Sequence, residues 1–366
     1  MGSERLPVAV IGVGGVGALT LDGLLKSELV EVVGLSDRDA GAAGRAAGAA
    51  GVEPFTDNRL MLAQSRPRAV FLAVPPAEAP ALVTLCAKQG IHVWKELPLA
   101  RSLAEGVGMV QSMERAGLKL AVGTQRRFAG GYRRAVALRQ RLGELFLARA
   151  HYLFNWGPDL AWRGDRASAG GGALLELGYH CVDLLTWLLG LPDEVYGAIA
   201  IAEQGDRRPP AGQKLQPIHD TDDTAAAILR YGSGVMSTVV TTRCSGPVSE
   251  ELSIHGRGGW LTASGESCLF RGPDGEVIDS HADTAAPADV FRLQAEAFAK
   301  AVMSETPFCE CSGRENLLNM AVIEAVYLSD RTSQPEHPLR LLQTHGLDEN
   351  DCLAQRPPEP HSAMES

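Results

Sequence analysis

Four glycines fall within six residues, Gly12-Val-Gly14-Gly15-Val16-Gly17, directly after the apolar run PVAVI. The spacing G-x-G-x-x-G brings bare backbone to a diphosphate. Gly12 permits a tight turn, Gly14 lets the chain approach the phosphates, and Gly17 lets helix and strand pack closely. A helix opening at Val16 would aim its unpaired N–H groups and positive dipole end at the anion. Asp37 closes the next apolar run, twenty residues after Gly17, where a carboxylate reads the hydroxyls of an adenosine ribose. That carboxylate would repel a 2′-phosphate, which favours NAD. Arg38 beside it could pair such a phosphate, which leaves NADP open.

The chain has 366 residues, enough for two domains, and 45% of them are hydrophobic, enough to give each a core. A formal net charge of −10 excludes nucleic acid as the main partner, because phosphate neutralisation needs a basic face. No apolar run reaches the roughly 20 residues needed to span a bilayer. MGSERL leads straight into PVAVIGVGGVG, without the order of a signal peptide. Seven scattered cysteines, an odd number, suit reduced thiols, so the expected location is cytoplasmic. Cys309 and Cys311 are close in sequence, but no His or further Cys nearby completes a zinc site, and no metal is expected.

The elements that must position this chemistry come in two blocks. Apolar strands at Pro7–Gly14, Val30–Asp37, Ala69–Pro76, Ile91–Glu96 and Leu118–Thr124 alternate with helices at Val16–Lys26, Ala40–Ala50, Ala79–Gln89 and Leu103–Ala116. That pattern predicts a parallel sheet covered on both faces. From about Phe128 the pattern changes. A helix at Tyr132–Arg141 leads into a long strand, Leu145–Asn155, and then into the glycine-rich GGGALLELGYHCVDLLTWLLG. The runs EVYGAIAIAE, DTAAAILRY, GVMSTVVTTR and EELSIHG follow, with Tyr231-Gly-Ser-Gly234 as a hairpin turn, and short turns predict antiparallel pairing. Two helices, Val290–Ser304 and Arg314–Ser329, close the block. Residues 205–217 read as a loop insertion. The expected fold is α/β: a Rossmann domain over 1–126, an α+β domain with a large open, mostly antiparallel sheet over 127–332, and a mobile Pro-rich tail over 333–366.

This order of elements resembles the glucose–fructose oxidoreductase / inositol dehydrogenase (Gfo/Idh/MocA) family. The resemblance runs from about Pro7 to Ser329 and rests on five collinear stretches: GVGGVG, AVFLAVPP, GIHVWKELPLA, GTQRRF and GGGALLELGYHCVDLLTWLLG. It implies an NAD(P)-dependent oxidoreductase that moves a hydride between nicotinamide and a hydroxyl or carbonyl carbon of a sugar, polyol or related compound. It further implies a homo-oligomer, dimer or tetramer, built on the open sheet. The implied cofactor contacts are Gly12, Gly14, Gly15, Val16, Gly17, Asp37, Arg38, Val74, Pro75, Glu96 and Pro98.

Members carry a lysine in E-K-P after the fourth strand, and an acid and a histidine four residues apart on one helical face. His180 falls at the histidine and is the expected general acid/base. Glu176 falls at the acid, one methylene longer than the usual Asp. Asp183, one turn on, could orient the imidazole, although Glu176, His180 and Asp183 also read as a polar stripe on an apolar helix. The lysine position holds Leu97, which neither carries charge nor donates a hydrogen bond. Lys95 could replace it only if the strand end bulges or its long stem bends back. The expected substrate contacts are Arg127, with Arg126 beside it at the domain junction, Tyr152 and neighbouring Asn155, Trp162, Arg163 and Tyr179. Leu97 keeps two alternatives open: a cofactor-binding regulator or partner subunit that no longer catalyses, and an enzyme that recycles bound NAD for epimerisation, elimination or glycoside cleavage.

Overall fold

Strands rich in Val, Ile, Leu and Phe are stable where helices cover both faces of the sheet. In the computed structural model, which describes residues 5–201, 219–283, 287–304, 306 and 309–353, the first block does this. Its elements are β1 (Leu6–Ile11), α1 (Val16–Leu25), β2 (Val30–Ser36), α2 (Ala40–Ala50), β3 (Pro54–Phe55), α3 (Asn58–Ser65), β4 (Ala69–Leu72), α4 (Ala79–Gln89), β5 (His92–Lys95), α5 (Leu103–Arg115) and β6 (Leu120–Val122). All strands pair in parallel, in the order β3-β2-β1-β4-β5-β6. The order reverses between β1 and β4, which opens a ligand crevice at their carboxyl ends. β3 and α3 escape the sequence reading. A two-residue strand has no periodicity, and α3 depends on a local cap in which Asp57 accepts from Arg59 N and Leu60 N.

The second block comprises α6 (Gly130–Leu138), β7 (Leu145–Asn155), α7 (Arg166–Ala169), α8 (Ala173–Glu176), α9 (Gly178–Leu189), β8 (Glu194–Ala200), β9 (Thr224–Arg230), β10 (Met236–Thr242), β11 (Cys244–Gly256), β12 (Gly259–Ala263), β13 (Ser267–Arg271), β14 (Val277–Ala282), α10 (Pro287–Met303), α11 (Gly313–Thr332), α12 (Pro338–Gln343) and α13 (Glu349–Leu353). Eight strands form one sheet in the order β14-β13-β12-β11-β7-β10-β9-β8. β12, β13 and β14 were not expected; they are short and lie among glycine-rich turns that mask their alternation. Pairing is antiparallel except between β7 and β10, which run parallel because β10 reaches β7 after a long excursion rather than a tight turn.

Ala148, Ala150, Val239, Leu252 and Ile254 turn inward, with α9 packed on β7 and β10 and α11 on β8, whereas Arg149 and Val240 face the open side. α10 crosses back to the first block, where Ala295, Phe298, Ala299 and Val302 join a core with Leu6, Val8, Val10 and Trp94. The expected loop at 205–217 lies outside the described residues. The expected mobility of the tail is corrected as far as residue 353. Glu336 bridges Val195, Leu342 is fully buried, and Cys352 is buried too, so an apolar stripe docks this segment against the body.

Candidate active site

The glycine loop has the shape its spacing implies. Gly12 takes φ +87°, and a Cβ there would overlap the Ala73 carbonyl oxygen at the end of β4. A Cβ at Gly17 would overlap the carbonyl oxygen of Gly12, so both positions exclude any side chain. Nothing lies within 4 Å of a Cβ built on Gly14 or Gly15, so the outer wall of the loop is open. No side chain caps α1. The Asp37 carboxylate turns to the loop, accepting from Val13 N at 2.9 Å and from Asp39 N at 2.9 Å. Each oxygen keeps a lone pair for a further donor. Arg38 is exposed and pairs Glu78 at 3.3 Å. Val74 and Pro75 lead from β4 into a short turn at Pro76–Glu78 beside the crevice. This geometry fits the diphosphate and ribose of a dinucleotide.

Beyond the carboxyl ends of β5 and β6, a polar cluster forms around Arg126. The short turn Gln125–Phe128 sends Arg126 into the cleft, where its guanidinium pairs Glu250 at 2.7 Å and reaches the Tyr152 hydroxyl at 3.3 Å. Tyr132 donates to Glu250 at 2.7 Å, bracing that carboxylate from α6. The Tyr152 ring lies 5.7 Å from the His180 imidazole. Burial, with Arg126 nearby, holds the His180 pKa well below the ordinary value of 6.5. Glu176 ends α8 and accepts from Arg163 Nε at 2.6 Å, and burial raises the pKa of its carboxyl. The Arg163 guanidinium lies 4.1 Å from the Trp156 ring and 4.4 Å from the Trp162 ring. Glu96 completes the cluster, within electrostatic reach of both Arg126 and Glu176.

Three polar atoms of this cluster, Glu96 Oε2, Arg126 Nε and His180 Nδ1, are buried and have no hydrogen-bond partner among the described residues. Each such atom costs roughly 1–3 kcal/mol, so native proteins keep few of them. All three belong to the polar cluster around Arg126.

Some expected residues are elsewhere. The Lys95 stem does bend back, but its ammonium donates to the carbonyl oxygens of Glu96, at 2.6 Å, and Pro98, so it clamps the turn after β5 instead of entering the cleft. Pro98 is buried under that clamp. Arg127 points the opposite way from Arg126, into a buried network with Asp183 (2.9 and 2.7 Å) and Glu315 (2.6 Å). Asp183 therefore holds Arg127 and does not orient His180. The Tyr179 hydroxyl donates to Asn316 at 2.9 Å, away from the cleft. Asn155 accepts from Gly157 N in a turn. Three members of the cluster were not singled out from sequence: Glu250, Tyr132 and Trp156. The face on which Glu250 emerges depends on a register irregularity between Cys244 and Ser249, which leaves no periodic trace. Among the described residues no group of His, Cys, Asp and Glu is arranged to hold a metal ion.

Comparison with known proteins agrees with this architecture. Residues 6–124 match the description "Oxidoreductase family, NAD-binding Rossmann fold", and residues 133–262 match "GFO/IDH/MocA C-terminal domain". D-xylose 1-dehydrogenase (NADP(+)) 2 of Haloferax volcanii is 26% identical over 339 residues, covering 88% of this chain and 97% of the relative. Inositol 2-dehydrogenase of Rubrobacter xylanophilus is 36% identical over 129 residues, 34% of this chain and 37% of its own. The solved structure of a levoglucosan dehydrogenase, in complex with NADH and levoglucosan, superposes with a TM-score of 0.81 at 18% identity, over 91% of this chain and 99% of that one. An oxidoreductase domain protein from Kribbella flavida gives a TM-score of 0.80 at 23% identity, also over 91% and 99%. With the motifs, the two-domain fold and both family descriptions in agreement, the chain belongs to the Gfo/Idh/MocA family of NAD-binding oxidoreductases.

Proposed function

We propose that this chain oxidises or reduces a hydroxyl-bearing carbon of a neutral sugar or polyol, with NAD as its redox partner. The three unpartnered buried atoms on Glu96, Arg126 and His180 carry this reading. Gly12, Gly14, Gly15, Val16 and Gly17 would hold the diphosphate and Asp37 the ribose. When bound, the dinucleotide supplies the two-electron acceptor or donor that hydroxyl–carbonyl interconversion requires. The protein's own groups then do the rest. Arg126 Nε donates to the reacting oxygen and stabilises the negative charge that develops there, supplying the cation that Leu97 does not. His180 Nδ1 lies beside it as a hydrogen-bonding partner, and the Trp156 and Trp162 faces offer a platform for the C–H side of a sugar ring.

A neutral substrate follows from the charge balance. Arg126 pairs Glu250 (2.7 Å), Arg163 pairs Glu176 (2.6 Å), and nearby Arg243 pairs Asp223 (2.7 Å), so each of these cations already has its counter-ion. Relatives named for D-xylose, 1,5-anhydro-D-fructose and myo-inositol are in keeping with this class. Six of the seven cysteines are buried thiols, which fits a reducing cytoplasm. The open sheet face fits a homo-oligomeric contact.

The test is a titration with NAD(H) and NADP(H) followed by nicotinamide fluorescence, then a screen of sugars and polyols. NADH should bind more tightly than NADPH, and Asp37→Ala should weaken NADH at least tenfold, about 1.4 kcal/mol. If neither NAD(H) nor NADP(H) binds, the oxidoreductase reading of this chain ends.

A further inference from the structure

Hydroxyl oxidation releases a proton, and the family position for a lysine cannot take it here because it holds Leu97. We propose that Glu96 is the side chain that takes and returns the proton of the substrate hydroxyl in this protein. The proposal rests on the oxidoreductase reading above and assigns the acid/base step within it.

Three neighbouring groups are unsuited to take that proton. Lys95 is buried and its ammonium is bound to two backbone carbonyls of its own turn. His180 is buried, the charge it feels is the Arg126 cation, and Asp183, the acid expected to orient it, is held by Arg127 at 2.9 and 2.7 Å. Burial and the Arg126 cation both disfavour the imidazolium. Tyr152 is held by Arg126 and raised above its ordinary pKa by burial.

Glu96 differs from all three. Its backbone N–H still donates to Leu72 O at 2.8 Å, so the residue is fixed as the last rung of the β4–β5 ladder. Its carboxylate lies over Gly123, where a Cβ would collide with it, so the glycine leaves the space the carboxylate occupies. Oε2 is buried and unpartnered, packed over Gly123 just past the carboxyl end of β6. The charged groups that face it are Lys95 from its own strand, Arg126 from the turn after β6 and Glu176 from α8. Burial raises its pKa to about 8, so acid and carboxylate interchange near neutral pH, the range in which a general base works best. In the oxidative direction the substrate O–H bond breaks as an Oε2–H bond forms, and that proton later leaves to solvent. In the reductive direction the same proton returns to the oxygen. Arg126 holds the oxygen during the transfer, and the dinucleotide of the reading above, when bound, would accept the C–H hydrogen together with both bonding electrons.

Infrared pH titration of the dinucleotide-free protein, with and without Glu96→Gln, reads the group without any turnover. A protonated-carboxyl band should disappear as the pH rises through about 8, and it should be absent from the variant. In the wild type kcat/KM should follow the same ionisation. Glu96→Gln should lose at least about a hundredfold in kcat, keep NADH affinity within about twofold, and show a flat profile in that range; Glu96→Asp should recover part of the loss. The proposal is overturned if the wild type has no such band, or if the variant loses the band yet keeps kcat. It is also overturned if NADH affinity falls as far as activity does, which would make Glu96 a cofactor contact only. The wild-type band needs no variant to fold. If the wild type binds no dinucleotide, the oxidoreductase reading fails along with this step; if it binds and turns over but the band is missing, only this step fails.

Discussion

Arg126 and Arg127 are adjacent in sequence and opposite in role. Arg126 enters the cleft with one nitrogen unpartnered, whereas Arg127 is 2% exposed and fully bonded to Asp183 and Glu315, with Asn319 joining Asp183 at 2.8 Å. Removing one member of a buried ionic network leaves the others uncompensated, at about 3–5 kcal/mol. Arg127→Ala should therefore unfold at markedly lower denaturant, whereas a substrate contact would show as a raised KM at unchanged stability. The sequence could not tell the two arginines apart, because a four-residue 3-10 turn, not a regular period, sets their directions. It did expose the glycine loop and Asp37, whose roles depend on backbone that only certain residues allow. His180 adds a pH signature. Its folded pKa lies well below the ordinary 6.5, so the unfolded chain binds that proton more tightly. Stability from this group is complete above about pH 6.5 and is lost as pH falls, by up to about 1.4 kcal/mol per unit. Equilibrium unfolding at pH 7.5 and 5.5 should show the wild type losing more stability than His180→Asn; parallel losses would mean that His180 is solvated in the native state.

At the scale of elements, the placement of Glu176 and His180 depends on how α8 begins. Asp222, fully buried, accepts from Gly172 N at 2.7 Å, from Leu174 N at 2.8 Å and from the Tyr327 hydroxyl at 2.8 Å. A Cβ at Gly172 would overlap the Asp222 carbonyl oxygen, which explains why the third glycine of that run has to be a glycine. The carboxylate thus ties α8 and α11 to the segment entering β9. Asp222→Ala should cost roughly 2–4 kcal/mol, since three buried donors lose their acceptor. It should also lower kcat, because Glu176 and His180 follow from α8 into α9. Thermal unfolding with steady-state kinetics on one preparation checks both effects, and unchanged kinetics at reduced stability would separate the cap from the site. The glycine run and the helix after it were legible in sequence. The partner was not, because Asp222 is fifty residues away and sits beside a segment that read only as a loop.

On the scale of the whole molecule, the described residues cover the eight-stranded sheet on one side only. Its inner residues bury under α9 and α11, while the outer face presents Tyr196, Ile228, Met236 and Val240, each more than a third exposed. Register places Ile228 between Tyr196 and Thr238, and Val240 opposite Ala226, so Tyr196, Ile228 and Val240 lie on neighbouring rungs of β8, β9 and β10, while Met236 faces Arg230. Apolar side chains scattered singly on a surface need no partner, but a contiguous row across three strands does. A second copy placed face to face would cover it, and a two-fold contact of this kind buries the same row on both chains. Sedimentation of the purified protein should then give a mass at least twice 38.9 kDa. Ile228→Arg with Val240→Arg should dissociate it, because two charges would replace apolar side chains at the middle of the contact and burying them is costly. NADH binding should survive that dissociation, since the glycine loop and Asp37 lie on the other domain. A monomeric wild type, or an assembly that tolerates both arginines, would leave the row to some other partner and would show that the site needs no second copy to be held in shape.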